Sequence, residues 1–461
     1  MTASDNAKMQ YDLGNDKISK LLWHFGVPAI IGLVINSLYY LVDRVFIGNG
    51  VGAVGLGAVA VSYPVFILMM AVGMMVGVGG SVNFSVRLGQ KKIRLAEKFM
   101  TNAFAMIIVL GALTCFLLHV FLEKILLFLG ATSSILPYAQ TYIRICLVSG
   151  TFYMANMVLN SFIRACGSPR YAMGSLFIGA VLNTILDPVF IFVLDKGIEG
   201  AAVATVIAQT GSFIFAIMYF VSRSPFKVRL KALGYHPKLW LAIAGTGAAQ
   251  FSIQLCGGFV QTVLNRALRE YGGDAALSAM GVSTSTALFL LMPVIGLCEG
   301  AQPIIGFNYG AQKFDRLRRI YIITATGTTI LCVISQIVVY TQARLIALLF
   351  NPDDSEWLQV AVLALRTCSM ALCTVGMQIA TSLFLQATKK TRTAMFLVLS
   401  RQLLFLVPAL NVLPVYYGLR GVYLSMPVSD FICFLCAVAI LIKQLRFYKK
   451  AHQERLSVSA A

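Results

Sequence analysis

Charged residues are scarce in this chain: only 12% of its 461 residues are Asp, Glu, Lys or Arg. A soluble domain carries about a quarter charged residues, so the scarcity excludes an ordinary soluble globular protein. Hydrophobic residues make up 58% of the sequence and occur in long runs with few charges. Since a membrane helix needs about 20 mostly apolar residues, the composition predicts an all-α protein that crosses a membrane many times.

Several other signatures are missing. The 4 histidines are dispersed, so a clustered catalytic or metal set of a membrane enzyme is not expected. The glycine-rich runs 48–57 and 73–81 lack the Lys-Ser/Thr of a P-loop, which points to an ion gradient rather than ATP as energy source, with no cofactor. The 10 cysteines are scattered, mostly within apolar runs, and are expected as free thiols. The polar first twenty residues predict no cleaved signal peptide.

Acidic residues are half as frequent as basic ones, 18 Asp and Glu against 37 Lys and Arg. The basic residues cluster in short segments between apolar runs, as the positive-inside rule requires, and this argues against nucleic acid as a partner. Most of them fall on one side if the N-terminus is cytoplasmic, so both termini are predicted to be cytoplasmic. The predicted location is a bacterial cytoplasmic membrane.

Hydropathy predicts twelve membrane helices. They are expected near residues 21–47, 55–82, 99–121, 138–162, 171–194, 199–221, 239–268, 277–305, 320–341, 357–385, 393–415 and 419–442.

The two halves of the chain resemble each other at an offset of 221 or 222 residues. FIRACGSPRYAM at 162–173 aligns with FLQATKKTRTAM at 384–395, and GIEG at 197–200 aligns with GLRG at 418–421. The repeat predicts an N-lobe at 1–221, a cytoplasmic linker at 222–238 and a C-lobe at 239–461. Each half has an even number of spans, so the lobes should be related by a pseudo-two-fold axis along the membrane normal, with substrate bound between them.

Charges within predicted spans are the candidate functional residues, because a charge at the bilayer centre costs roughly 2.5–3.5 kcal/mol and normally faces a cavity or a partner. The repeat sharpens this choice, since a structural charge would be expected in both halves. These charges occur once: Asp43 aligns with Asn265, Asp187 with Ala409, Glu299 with Val78, Arg401 with Gly179 and Asp430 with Gln209.

Asp43 and Asp187 are expected at similar depth in the outer half of the N-lobe. Asp187 lies about 24 Å along a span that begins near Tyr171, at about 1.5 Å per residue. Two nearby carboxylates can share a proton or chelate Na⁺. The alternative for Asp43 is a structural pair with its neighbour Arg44.

Three further charges and one aromatic residue are candidates for substrate binding or C-lobe coupling. Glu299, in a span with proline and glycine around it, could bind a cationic substrate or carry a proton. Arg401 and Asp430 could act in transport or simply neutralise one another. Tyr40 could line a tolerant, polarisable cavity.

The sequence resembles the multidrug and toxin extrusion (MATE) family, in its bacterial MepA-like branch. The resemblance covers essentially the whole chain and rests on LVDRVFIG (41–48), RLGQ (87–90), RACGSPRYAMGSLFIGAVLNTILDPVF (164–190), GIEGAAVAT (197–205), GLCEGAQPIIGFNYGA (296–311) and SRQLLFLVP (400–408).

This resemblance implies two six-helix lobes and secondary efflux of amphipathic, often cationic drugs, by alternating access in antiport with H⁺ or Na⁺. It places Asp43, Asn183, Asp187 and Thr205 in an N-lobe ion or proton site, with Glu299 at the acidic C-lobe position. The expected partners are small-molecule drugs and membrane lipids, and the expected state is a monomer. The alternative function is a lipid-linked saccharide flippase, although the mostly acidic intramembrane charges disfavour an anionic cargo. A channel is a further alternative.

Overall fold

The structure is a computed structural model that describes residues 12–228, 236–350 and 355–460. These residues form helices and connecting turns, with no β-strand among them. The predicted multi-pass all-α fold is therefore confirmed. Part of the predicted linker, residues 229–235, and the predicted polar N-terminal residues 1–11 lie outside the described ranges.

The helices are, in chain order, α1 (Ile18–Gly89), α2 (Ile93–Val120), α3 (Leu122–Phe128), α4 (Leu136–Ala165), α5 (Pro169–Pro188), α6 (Gly197–Ser222), α7 (Pro237–Gly310), α8 (Phe314–Leu348), α9 (Ser355–Cys368), α10 (Leu372–Ala387), α11 (Thr391–Leu399), α12 (Val407–Tyr417) and α13 (Leu419–Ala460). Two π-helical turns, Val189–Val193 and Ser400–Leu406, extend α5 and join α11 to α12.

Two helices contain an internal break at equivalent positions of the repeat. Helix α1 breaks at Gly52, where φ is 77°, and α7 breaks at Gly273, where φ is 62°. Glycine adopts such a backbone without the penalty that a Cβ would cause. The described residues contain 10 helices long and apolar enough to cross a membrane, or up to 11 if the bent pair Glu356–Cys368 and Leu372–Ala387 is one span.

Each half has an apolar core of its own. The core of the first half gathers buried residues from α1 to α6, such as Phe84 and Phe162, and that of the second half gathers residues from α7 to α13, such as Tyr423. A third cluster crosses between the halves, because Leu21 and Phe25 at the start of α1 pack against α7, α8, α10 and α13. Within a membrane, van der Waals packing of these side chains stabilises the contacts within and between the halves.

The halves meet closely at one end of the molecule, which we call the closed end. A Cβ added to Gly89, the last residue of α1, would lie 2.0 Å from the carbonyl oxygen of Phe307. A Cβ added to Gly310, the last residue of α7, would lie 2.0 Å from that of Val86. The two backbones are therefore in direct contact. The side-chain nitrogen of Asn308 also donates to the carbonyl oxygen of Leu13, so the start of the described chain lies at this end too.

Candidate cation and substrate sites

Asp43 and Asp187 come together inside the first half. Asp43 lies in the first part of α1 and is 5% exposed, and Asp187 lies near the end of α5 and is fully buried. Their carboxyl groups are close enough to interact electrostatically. No ion pair between Asp43 and Arg44 occurs among the described residues, although the charge of Arg44 lies near enough to act on the Asp43 carboxyl.

The end of α5 is built to direct polar groups into this site. Asn183 and Asp187 are four residues apart and therefore share one helix face, where both are fully buried. Pro188 lacks a backbone N–H and leaves the carbonyl of Thr184 without its helical donor. The chain then continues in the π-helical turn Val189–Val193, a form that is frequent at functional sites.

Thr205 on α6 completes the site. The Asn183 side-chain nitrogen lies 3.4 Å from the Thr205 hydroxyl oxygen, and Thr205 is buried. The side chains of Tyr39 and Tyr142 also lie near Thr205. The structure therefore brings together all four residues that the sequence proposed for the N-lobe site, from three different helices.

Several oxygens in this site lack a hydrogen-bond donor among the described residues. They are Oδ1 of Asp43, both carboxylate oxygens of Asp187 and Oδ1 of Asn183. Buried polar atoms without a partner are costly, so such a cluster is suited to a proton shared between the carboxyls or to a small cation held by oxygens. The described residues contain no group of three or more His, Cys, Asp and Glu side chains able to hold a metal, so Na⁺ would need Asn183 or Thr205 as further ligands.

An apolar groove runs beside the carboxyl pair, between α1 and α5. Its volume is about 240 Å³, and its lining includes Tyr39, Val42, Thr184 and Ile185. Val42 directly precedes one aspartate in the sequence, and Ile185 lies two residues before the other. The groove therefore brings open space close to a site that is otherwise buried.

Tyr40 lies on α1 with 44% of its surface exposed. Its hydroxyl lies near the side chains of Tyr153 and Asn36, and its ring lies 4.7 Å from that of Tyr39, centroid to centroid. Aromatic faces of this kind can hold an organic cation.

Arg401 and Asp430 form an ion pair within the second half. Nε of Arg401 lies 2.7 Å from Oδ1 of Asp430. Ser429 donates to the Arg401 carbonyl oxygen, and Gln378 donates to that of Asp430, so the pair is fixed by further hydrogen bonds. The geometry matches the structural neutralisation that the sequence leaves open as one of two roles.

Glu299 is not a solitary carboxylate. Its Oε2 lies 3.2 Å from Nη2 of Arg164, which is next to the last residue of α4 in the first half. Arg164 is not among the charged residues that the sequence singles out. No signal in the sequence connects two side chains on distant helices of different halves. Tyr39 is also missed at the aspartate site, although its position one turn before Asp43 could have indicated it.

Two homologous helical halves that enclose a buried carboxyl pair define a multi-pass membrane protein of the two-lobe transporter class. The MatE family model matches residues 28–189 and again residues 250–410. The chain belongs to the MatE family, and it is therefore a membrane transporter rather than an enzyme. The two matches have the same offset as the internal repeat, and the family resemblance of the sequence motifs is confirmed.

The chain is also similar to two proteins that are named as multidrug export proteins. The chain is 27% identical to the multidrug export protein MepA of Staphylococcus aureus, over 94% of this chain and 95% of that protein. It is 28% identical to the multidrug export protein MepA of Staphylococcus saprophyticus, with the same shares covered.

Solved structures show the same fold. A multidrug resistance MATE family transporter in an outward-facing conformation superposes with a TM-score of 0.91 at 21% identity, covering 98% of this chain and all of that chain. A variant of the Vibrio cholerae MATE transporter VcmN gives a TM-score of 0.88 at 23% identity, covering 93% of this chain and 97% of that chain.

Proposed function

We propose that this protein is a secondary active exporter that exchanges H⁺ or Na⁺ for amphipathic, often cationic compounds. The observation that carries the proposal is the buried pair of Asp43 and Asp187, whose equivalents in the second half are Asn265 and Ala409. A carboxyl pair that occurs once in a duplicated membrane fold serves coupling better than scaffolding, because buried intramembrane charges are costly.

The clustered side-chain oxygen atoms make this site suitable for binding a coupling ion. Two neighbouring carboxyl groups are stable when one holds a proton or when a cation lies between them, and they repel each other when both are ionised and no cation is bound. Binding or release of one ion therefore strongly changes the electrostatic energy of the two carboxyl groups. An ion of charge +1 that crosses a potential of 100 mV supplies about 2.3 kcal/mol, which can drive the export of a drug against its gradient.

Alternating access would occur between two lobes of six helices each, with domain limits 1–221 and 239–461 and twelve spans in total. Basic residues at the closed end, among them Arg87, Lys91 and Lys313, support its assignment as the cytoplasmic end under the positive-inside rule. Both termini would then be cytoplasmic. The conformer described here would be closed toward the cytoplasm of a bacterial cell and open outward.

The substrates are proposed to be small-molecule drugs, since the curated relatives are multidrug export proteins. Tyr40 would contribute an aromatic face to the cavity. Arg401 and Asp430 are proposed to serve as a structural pair that keeps the second half neutral at this depth. The protein is proposed to act as a monomer among membrane lipids.

The proposal is tested with purified protein in proteoliposomes, with ethidium as the probe and an imposed pH or Na⁺ gradient. The wild type should move ethidium in response to one of these gradients, which identifies the coupling ion. Asp187→Asn and Asp43→Asn should abolish the gradient-driven movement. Asp315→Asn serves as the matched control, because Asp315 is an exposed residue of α8. Intact gradient-driven export in an Asp43→Asn, Asp187→Asn double variant would refute the mechanism.

A further inference from the structure

The ion pair of Arg164 and Glu299 joins the two halves of the molecule. Arg164 lies on α4 in the first half, and Glu299 lies on the second part of α7 in the second half. Their side chains are 13% and 17% exposed, and the distance from Nη2 to Oε2 is 3.2 Å. The pair is therefore mostly shielded from solvent and is held between the lobes.

The pair is not a duplicated element of the scaffold. In the repeat, Arg164 aligns with Gln386 and Glu299 aligns with Val78, so the symmetric position cannot form an ion pair. Gln386 instead donates to the hydroxyl oxygen of Ser382 in its own helix. Since only one of the two equivalent positions of the repeat carries an ion pair, the pair is expected to have a function beyond holding the two halves together.

Glu299 lies where the halves are in backbone contact. A Cβ on Gly296 would lie 2.6 Å from Cα of Ile30, and a Cβ on Gly300 would lie 2.7 Å from Cα of Gly26. A molecule as large as a drug has no room beside Glu299 until α1 and α7 separate. Separation at the closed end would also draw Arg164 away from Glu299 and leave the carboxylate without a partner, which is unfavourable unless another cation binds.

We propose that Arg164 is an internal cation that competes with a cationic substrate for Glu299 and replaces that substrate whenever the closed end forms. The inference rests on the proposed export function and assigns the residue that displaces its substrate. When the lobes open, Glu299 binds the cationic compound. When they close, Arg164 returns to Glu299 and displaces the compound toward the other side. A neutral compound would gain nothing from this exchange, because only differential affinity shifts a conformational equilibrium.

The test measures ethidium affinity of the purified, reconstituted protein by fluorescence anisotropy, together with KM and kcat of ethidium export. Arg164→Gln removes the competitor, so ethidium should bind about tenfold more tightly while kcat falls, because displacement is lost. Glu299→Gln removes the recognition group, so ethidium should bind about tenfold more weakly. The double variant Asp315→Asn, Arg319→Gln removes an exposed ion pair within α8 and should leave both quantities unchanged.

The inference predicts opposite changes in ethidium affinity for Arg164→Gln and Glu299→Gln, and this difference is the critical result. A purely structural bridge would be broken equally by either change, so ethidium affinity would shift in the same direction in both variants, and this result would overturn the inference. Failure of wild-type protein to bind ethidium would overturn it as well. A charge swap, Arg164→Glu with Glu299→Arg, should keep the thermal stability of the wild type but not its ethidium affinity. Affinities that follow the expected pattern without any gradient-driven export would overturn the antiport mechanism and leave this inference standing.

Discussion

Gly89 and Gly310 occupy equivalent positions of the repeat, and each lies against the helix of the other half with no space for a side chain. A Cβ on either residue would fall 2.0 Å from a carbonyl oxygen, of Phe307 for Gly89 and of Val86 for Gly310. Small residues permit such close approach of membrane helices. The same feature recurs between Gly247 and Met75 further along the interface, so the closed end depends on glycine at several levels.

Replacement of Gly310 by alanine should prevent full closure. The added methyl group meets a backbone carbonyl rather than a flexible side chain, and overpacking of this kind costs about 1–3 kcal/mol. Ethidium export should therefore fall by about tenfold or more, because about 1.4 kcal/mol corresponds to a factor of ten. Gly257→Ala is the control, since a Cβ there meets nothing within 4 Å. Wild-type export by the Gly310→Ala protein would show that this contact is not needed.

Replacement of Thr205 by valine should weaken ion coupling without changing the fold. Valine has nearly the same shape but removes the hydroxyl that accepts the hydrogen bond of Asn183. A lost hydrogen bond in a buried site costs about 1–3 kcal/mol. The ion concentration that gives half-maximal ethidium export should rise by about tenfold. Thr341→Val, which alters an exposed hydroxyl on α8, should have no effect, and an equal shift in both variants would contradict the prediction.

Much of the fold follows from the sequence, because the regular rise of a helix relates the position of a residue in the chain to its depth in the membrane. Hydropathy locates the helical segments, and the constant rise per residue places Asp43 and Asp187 at matched depth without knowledge of how the helices pack. The long helices are a partial exception. A break between spans is expected around residues 47–55, but the chain remains helical there except at Gly52, whose φ is positive. One glycine is enough to redirect the helix, and hydropathy does not detect it.

Contacts between halves could not be predicted in the same way. The pair of Arg164 and Glu299 depends on how α4 and α7 pack across the interface, and a single sequence holds no record of that packing. The pairing of Arg401 with Asp430 was left open for the same reason. The two residues lie on different helical segments of the second half, so helix periodicity does not show whether they are in contact. The aspartate site was easier because Asn183 and Asp187 share a helix face.

Removal of one partner from the ion pair of Arg401 and Asp430 should destabilise the protein. Asp430→Asn leaves the partly exposed Arg401 guanidinium without its carboxylate, and a polar group left without its partner costs about 1–3 kcal/mol. The thermal unfolding temperature in detergent should fall clearly. Asp315→Asn, which breaks the exposed pair with Arg319, should lower it little, because exposed pairs contribute about 0–1 kcal/mol. Equal effects of the two changes would show that burial does not matter here.

Lys389 makes the closed end sensitive to alkaline pH. It lies between α10 and α11, where burial and the nearby positive charge of Arg87 in the first half lower the pKa of its amine from 10.5 to about 8. When the halves separate, the amine is expected to regain a pKa near that of a free lysine. Between about pH 8 and 10.5, closure therefore releases a proton from Lys389, and the closed form gains stability as pH rises through this window. Below about pH 8 the amine stays charged in both forms, and closure carries the full free-energy cost of burying that charge.

Lys389→Met should remove this penalty and this pH dependence. The thermal unfolding temperature of the variant should exceed that of the wild type at pH 7, and the difference should shrink as pH is raised from 8 to 10.5, because the wild-type amine loses its charge over that range. Lys98→Met alters an exposed lysine on α2, and it should show no comparable trend. The measurement is differential scanning fluorimetry across pH. A constant difference between Lys389→Met and wild type at every pH would show that the amine remains charged in the closed form.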